Sequence, residues 1–292
     1  MKNILITGNM NSGKTEKIKE EVKRLIKNNE SMIILDSKEE YSELFEDTDY
    51  EVKVISFRDL KNSLKYNLFN YAKTEYKNGN IDKSINIIKD IFDNLFVIPE
   101  DRDPFWDKTA SEYVTSIALY LLKTNQELNF KEIIRVLNKD SEDFKKYISS
   151  IDILDTCSLL ASPTVYAPQE TKGGIISVAK QVMNLLAYQP TLLENLCGYD
   201  EIEIKNKNQA IILVNFDEQF GINRVMTAIL SQLISRLYDL KNNYNLILDN
   251  YESLTNNEYF ERIFETCNAR NISSLVAVRN IAVISKKDAF EK

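Results

Sequence analysis

The chain has 292 residues, 43% of them hydrophobic and 28% charged, which provides material for a real core and excludes a disordered chain. With 44 acidic against 37 basic side chains the net charge is −7, which argues against nucleic-acid binding by bulk charge and leaves room for a local basic patch. There is no histidine, so Ser-His-Asp triads, Cys-His nucleophiles and histidine metal sites are excluded. The cysteines, Cys157, Cys197 and Cys267, are far apart and fit neither a disulfide framework nor a CxxC site. They read as small buried thiols in a reducing compartment.

In chain order, residues 3–7 form a short apolar run closed by Gly8, which predicts a buried strand. A helix follows, with Ile18, Val22, Leu25 and Ile26 at helical spacing and lysine and glutamate between them. Strands are predicted at 31–36 and 51–57, separated by a short acidic helix around 39–45. This alternation points to a mostly parallel sheet. From about 81 to 148 no strand is evident. Ile81, Ile85, Ile88, Phe92 and Leu95 form one helical seam, Tyr113, Ile117, Tyr120 and Leu121 another, and Asn129 with Glu132 three residues on predicts a capped helix start.

Residues 162–174, with two prolines and Gly173-Gly174, read as a loop into a helix at 175–187. The α/β alternation then resumes with strands at 210–215, 245–249 and 273–278 and helices at 223–240 and 259–267. The expected organisation is a nucleotide-binding α/β domain at 1–75 and 165–292 with an all-helical domain inserted at 76–164. Nothing resembles a signal peptide, and no run approaches the roughly 18 apolar residues of a membrane span. The chain as given therefore reads as soluble and cytoplasmic, without membrane contact.

Gly8-Asn9-Met10-Asn11-Ser12-Gly13-Lys14-Thr15 matches G-x-x-x-x-G-K-[ST], after a predicted strand and at the start of a predicted helix. That context predicts a phosphate-binding loop for ATP and Mg²⁺. The residues concerned are Gly8, Asn11, Ser12, Gly13, Lys14 and Thr15. The glycines let successive N–H groups curl around the phosphates at the positive end of the helix. Lys14 would reach the β- and γ-phosphates, and the Thr15 hydroxyl would ligate the metal. A second acidic ligand is expected at the end of a buried strand. Asp249, after Leu246-Ile247-Leu248, is the first choice and Asp36 the competitor.

Taken in order, further segments resemble the type IV coupling proteins, the hexameric ATPases of bacterial conjugation and type IV secretion. Leu35-Asp36-Ser37-Lys38-Glu39-Glu40-Tyr41 is similar to the family's Leu-Asp-Pro-Lys-Gly-Glu-Leu. Tyr66-Asn67-Leu68-Phe69 resembles its Tyr-Asn-Pro-Leu, and Asp103-Pro104-Phe105-Trp106 matches its Asp-Pro-Phe-Trp. Glu170-Thr171-Lys172-Gly173-Gly174-Ile175 resembles its Glu-Thr-Arg-Gly-Gly-Ile. The resemblance implies a RecA-like P-loop NTPase with an all-helical insertion, ATP hydrolysis and a homohexamer. It also implies single-stranded DNA, an attached relaxase and other secretion-system proteins as partners. The family's N-terminal membrane helices and its continuation past the last motif are not in the sequence given.

Two departures bear on catalysis. The family's Asp-Glu pair is Asp249-Asn250 here, and an amide can orient water but cannot take its proton. The family's final-strand glutamine is replaced at or near its place by Arg279. Whether Glu252 substitutes for the missing glutamate is left open by the sequence. Arg270 matches an arginine that in a ring approaches a neighbour's nucleotide, and it reads equally as a surface residue ending a helix. Trp106 reads as a core anchor of the inserted helices in preference to a DNA-stacking residue.

The resulting expectation is an ATP-binding coupling-protein-like ATPase with weakened hydrolysis. The alternative is a catalytically degenerate nucleotide-binding interaction protein of a mobile element, using ATP occupancy as an assembly signal. A small-molecule kinase shares the loop but lacks an Arg-rich lid.

Overall fold

The computed structural model describes the chain apart from residues 1–2, 10–11, 99–102, 140, 216–219, 241–242, 256, 286–288 and 291–292. It divides into two compact units, one made of Met1–Leu64 with Ile202–Lys292 and the other of Lys65–Glu201.

The first unit is built on β1 (Ile4–Thr7), β2 (Met32–Asp36), β3 (Glu51–Ser56), β4 (Gln209–Val214), β5 (Tyr244–Leu248) and β6 (Ile272–Val278). These form one sheet in the order β1-β6-β5-β2-β4-β3, and every neighbouring pair is parallel. All residues of β2 and β4 are buried, which explains why both read as continuous apolar runs and not as alternating ones. At the β3 edge, Glu51 pairs with Lys53 at 3.2 Å and Lys205 at 2.7 Å, placing charge where a further strand would otherwise dock.

Helix α1 (Lys14–Lys27) buries Ile18, Val22 and Leu25, the four- and three-residue spacing of one helix face. They join Met32, Ile34, Ala210, Ile212, Ile247 and Ala277 in one core cluster, together with Tyr41 and Phe45 from the connection after β2. Burying each of the larger aliphatic side chains here contributes roughly 2 kcal/mol. The acidic segment predicted as a helix at 39–45 is only a 3-10 turn at Ser42–Phe45. The residues before it are drawn instead into a turn around Asp36, described below.

The second unit is helical throughout its described residues: α2 (Phe69–Lys77), α3 (Ile81–Leu95), α4 (Pro104–Lys123), α5 (Phe130–Lys139), α6 (Glu142–Ser150), α7 (Thr156–Val165), α8 (Gln169–Ala187) and α9 (Pro190–Asn195). Several segments noted in the sequence are structural devices here. Asp103 caps α4 by accepting the Phe105 N–H at 3.0 Å, with Pro104 at the first helical position. Asn129 accepts the Glu132 N–H at 2.9 Å at the start of α5, the predicted cap. Asn67, 1% exposed, donates to the Leu128 carbonyl at 3.0 Å and accepts from the Phe69 N–H at 3.0 Å.

In the helical unit, Phe69 of α2 packs its ring against Phe92 and Phe130, at 5.8 and 5.0 Å, and α8 packs on α4 and α5. One expectation is corrected: residues 162–174 are not a loop. Pro163 lies inside α7, and α8 begins at Gln169 directly after the extended Pro168. Gly174 sits within α8 for a packing reason: a Cβ there would fall 2.7 Å from Cζ3 of Trp106. Trp106, half-buried and edge-on to Phe105, is thus an anchor of the helical unit.

In the first unit the chain continues through α10 (Phe220–Leu240), between β4 and β5, and α11 (Asn257–Thr266), between β5 and β6.

Candidate phosphate-binding site

Because the strands are parallel and β6, β5 and β2 follow β1 in the sheet, the C-terminal ends of these strands lie side by side. This edge is where open α/β sheets bind ligands. The loop after β1 starts at Gly8, whose N–H donates to the Val278 carbonyl of β6 at 3.3 Å. A Cβ on Gly8 would meet the Ser12 Oγ at 2.4 Å, and Gly13 adopts φ 81°, the left-handed conformation glycine alone enters at no cost. Gly13 at the start of α1 brings no side-chain cap, and helix starts left open in this way bind anions through their first N–H groups. The Lys14 ammonium donates to the carbonyls of Gly8 and Asn9 and lies against the loop. Asn11 lies outside the described residues.

A cavity of about 350 Å³ opens in front of the loop. Its lining includes Ser12, Gly13, Lys14 and Thr15 of the loop and α1, Asp249, Asn250 and Arg279 after β5 and β6, and Ser37, Lys38 and Glu40 after β2. The volume falls within the usual range for a small ligand. Lys14, Lys38 and Arg279 bring positive charge to it, and Glu16, Glu40 and Asp249 negative charge. This suits a polyphosphate carried with a cation.

The two competing acids separate clearly. Asp36, 0% exposed, is consumed by its own turn: Oδ1 accepts the N–H groups of Lys38 and Glu40 at 3.0 and 3.2 Å, and Oδ2 that of Tyr41 at 3.1 Å. Asp249 lines the cavity and is 7% exposed. Its backbone N–H donates to the Leu35 carbonyl at 3.1 Å, and its Oδ2 accepts the Tyr41 hydroxyl at 2.7 Å. Burial pushes the Asp249 carboxyl above its ordinary pKa, while the Tyr41 hydrogen bond and the nearby Lys38 charge pull the other way.

Asn250 also lines the cavity, at φ 68° and ψ 55°, a left-handed conformation that asparagine tolerates better than most residues. Glu252 does not reach the cavity wall: its Oε1 accepts the N–H groups of Arg279 and Asn280 at 2.9 and 2.8 Å. Arg270 lies before β6, at the opposite end of that strand from Arg279, with its guanidinium 4.2 Å over the Tyr238 ring. It is no part of this chain's own cavity. Tyr41, Ser37, Lys38 and Glu40 belong to the motif segment after β2, but only the folded turn shows that they border or support the site.

Loop, helix and strand-end acid on a parallel sheet define a RecA-like P-loop nucleotide-binding fold. The chain belongs to the family described as type IV secretory system conjugative DNA transfer, whose model matches residues 2–287. Among solved structures it is similar to the bacterial conjugative coupling protein TrwBdeltaN70 in its unbound form, with a TM-score of 0.66 at 11% identity over 98% of this chain and 65% of that one. The plasmid coupling protein TrwB in complex with ADP and Mg²⁺ aligns with a TM-score of 0.64 at 10% identity, over 96% and 64% of the respective chains. VirB4 of Thermoanaerobacter pseudethanolicus gives 0.62 at 12% identity, over 98% and 72%. This chain thus spans about 65% of the length of the first of these. No curated protein sequence is significantly similar to it. Among the described residues no helix is long and apolar enough to cross a membrane.

Proposed function

We propose that this chain is the nucleotide-binding module of a DNA-transfer coupling ATPase, binding ATP with Mg²⁺ and hydrolysing it slowly. The observation that carries this reading is the cavity lined together by the start of α1, with Lys14 and Thr15, and by Asp249. The donor set fits magnesium, a hard cation usually held by one or two protein oxygens with phosphate and water completing its shell. Here those oxygens are the Thr15 hydroxyl and the Asp249 carboxylate. A magnesium held there would neutralise part of the phosphate charge. Lys14 binds the same phosphates, and Arg279 brings a further cation to the cavity.

Slow turnover follows from the residues around the attacking water. Asn250 has no basic site to accept a proton, and one oxygen of Glu252 is held by the backbone N–H groups of Arg279 and Asn280. That commitment of Glu252 also favours the second reading, a degenerate interaction protein in which ATP occupancy signals assembly. Single-stranded DNA, a relaxase and other secretion-system proteins are the proposed partners, and a homohexamer the proposed assembly. In such a ring Arg270 would act on a neighbour's nucleotide and not on its own.

The deciding experiment is steady-state ATP hydrolysis with and without single-stranded DNA, beside ATP binding on the same sample, for the wild type, Lys14→Ala and Asn250→Glu. The motor reading expects tight binding, weak DNA-stimulated turnover lost in Lys14→Ala, and faster turnover in Asn250→Glu. Binding without turnover selects the second reading. ATP binding that is absent, or indifferent to Lys14→Ala, refutes both. A glutamate in the left-handed conformation at 250 costs about 1 kcal/mol, so the unfolding midpoint is followed in parallel.

A further inference from the structure

We infer that Tyr41 is a positioning residue for the metal-binding carboxylate of Asp249, an assignment that rests on the magnesium-nucleotide reading above. Its hydroxyl donates to Asp249 Oδ2 at 2.7 Å, and its side chain is fully buried. The tyrosine is itself held in place. Its backbone N–H donates to Asp36 Oδ2 at 3.1 Å, and Asp36 ends β2, the strand next to β5. The Asp249 N–H donates to the carbonyl of Leu35, the residue before Asp36, at 3.1 Å. Asp36, Tyr41, Asp249 and Leu35 therefore close a circuit of hydrogen bonds and chain that leaves the Asp249 side chain little freedom.

The chemistry follows from the two oxygens of one carboxylate. A hydroxyl-to-carboxylate bond is charge-assisted and strong, more so away from water. With Oδ2 engaged by Tyr41, Oδ1 is left for a cation in the cavity that Asp249 lines. Such outer partners orient metal ligands, and their loss typically weakens metal affinity ten- to a hundred-fold. Nothing else at Tyr41 requires a hydroxyl: its ring is buried in the core with Ile18, Val22 and Phe45, where phenylalanine would serve equally. Only the tip is polar, and it meets the strand-end carboxylate that lines the cavity.

The test uses the full chain with ADP and Mn²⁺, whose binding is read by electron paramagnetic resonance, and a fluorescent ADP analogue in EDTA. Tyr41→Phe is expected to weaken Mn²⁺ affinity of the ADP complex about ten-fold, with metal-free ADP affinity unchanged. Added to Asp249→Asn, the same substitution should have no further effect on the metal, because it acts through that carboxylate. Unchanged Mn²⁺ affinity in Tyr41→Phe, or an equal loss in the Asp249→Asn background, overturns the assignment. A wild-type ADP complex whose Mn²⁺ binding is indifferent to Asp249→Asn refutes the metal-site reading itself, which is a different failure. Should Tyr41→Phe not fold, a ring-fluorinated tyrosine at position 41 alone strengthens the donor, and Mn²⁺ affinity must then change or the assignment falls.

Discussion

Glu252 Oε1 accepts the backbone N–H of Arg279 at 2.9 Å, fastening the turn after Asp249-Asn250 to the end of β6. With the Asn280 N–H at 2.8 Å on the same oxygen, the carboxylate acts as a tether between two segments that line the cavity, Asp249-Asn250 and Arg279. Glu252→Gln keeps an acceptor oxygen and should leave ATP turnover within about two-fold of wild type. A loss of two orders of magnitude in steady-state assays would instead make Glu252 the general base. Glu252→Ala removes the tether and should cost about 1 kcal/mol in urea unfolding.

The two acids at the strand ends should respond oppositely. Asp36→Ala deprives three N–H groups of their acceptor inside the fold. It should destabilise the protein by about 3 kcal/mol or more. Asp249→Asn removes a buried charge and should raise stability while weakening metal-dependent nucleotide binding. The sign at Asp249 follows from burial. Its folded pKa lies above the ordinary 3.8, so the folded state holds the proton more tightly and the contribution to stability falls as pH rises through that window. Urea unfolding at acid and neutral pH, with and without the substitution, measures this slope.

Gly13→Ala should cost about 1 kcal/mol, because φ 81° is unfavourable for any residue with a Cβ. Among the described residues, and apart from its chain neighbours and its own helix, nothing stands within 4 Å of the added methyl, so the cost is conformational and not steric. ATP affinity, read by fluorescence titration, should fall with the distortion of the loop, and a stability loss without an affinity loss would separate the loop's shape from its function.

Gly174→Ala tests the helical unit by itself. The new Cβ would lie 2.7 Å from the Trp106 indole, and overpacking of this kind costs about 1–3 kcal/mol. Trp106→Leu in the same chain should relieve part of it, which a double-mutant cycle on thermal unfolding detects.

Much of this architecture was legible because the strands that matter are short, apolar and closed by turn residues. Met32–Asp36 and Tyr244–Leu248 lie within a residue of their expected limits. The phosphate loop was legible because its chemistry demands a fixed spacing. What escaped the sequence depends on contacts between distant residues. Gly173-Gly174 signals a loop locally, yet Trp106 requires a small residue inside a helix there. Asp36 and Asp249 both end buried strands, and only the turn that folds around one of them separates their roles. Tyr41 reads as an ordinary apolar position until its hydroxyl is seen on Asp249.

The pairing of β1 sets an order of events in synthesis. In the sheet β1 has β6 as its neighbour, with Ile4 in register with Leu275. In a nascent chain the phosphate loop is made well before β6, the strand that supports it. Contacts of such sequence separation form slowly, because a long stretch of chain must be closed before they yield any stabilisation. The compact stretch Lys65–Glu201 has meanwhile left the ribosome, complete in its own sequence. Competence for nucleotide thus waits on the synthesis of β6, and ATP captured by this chain reports that β6 is paired with β1.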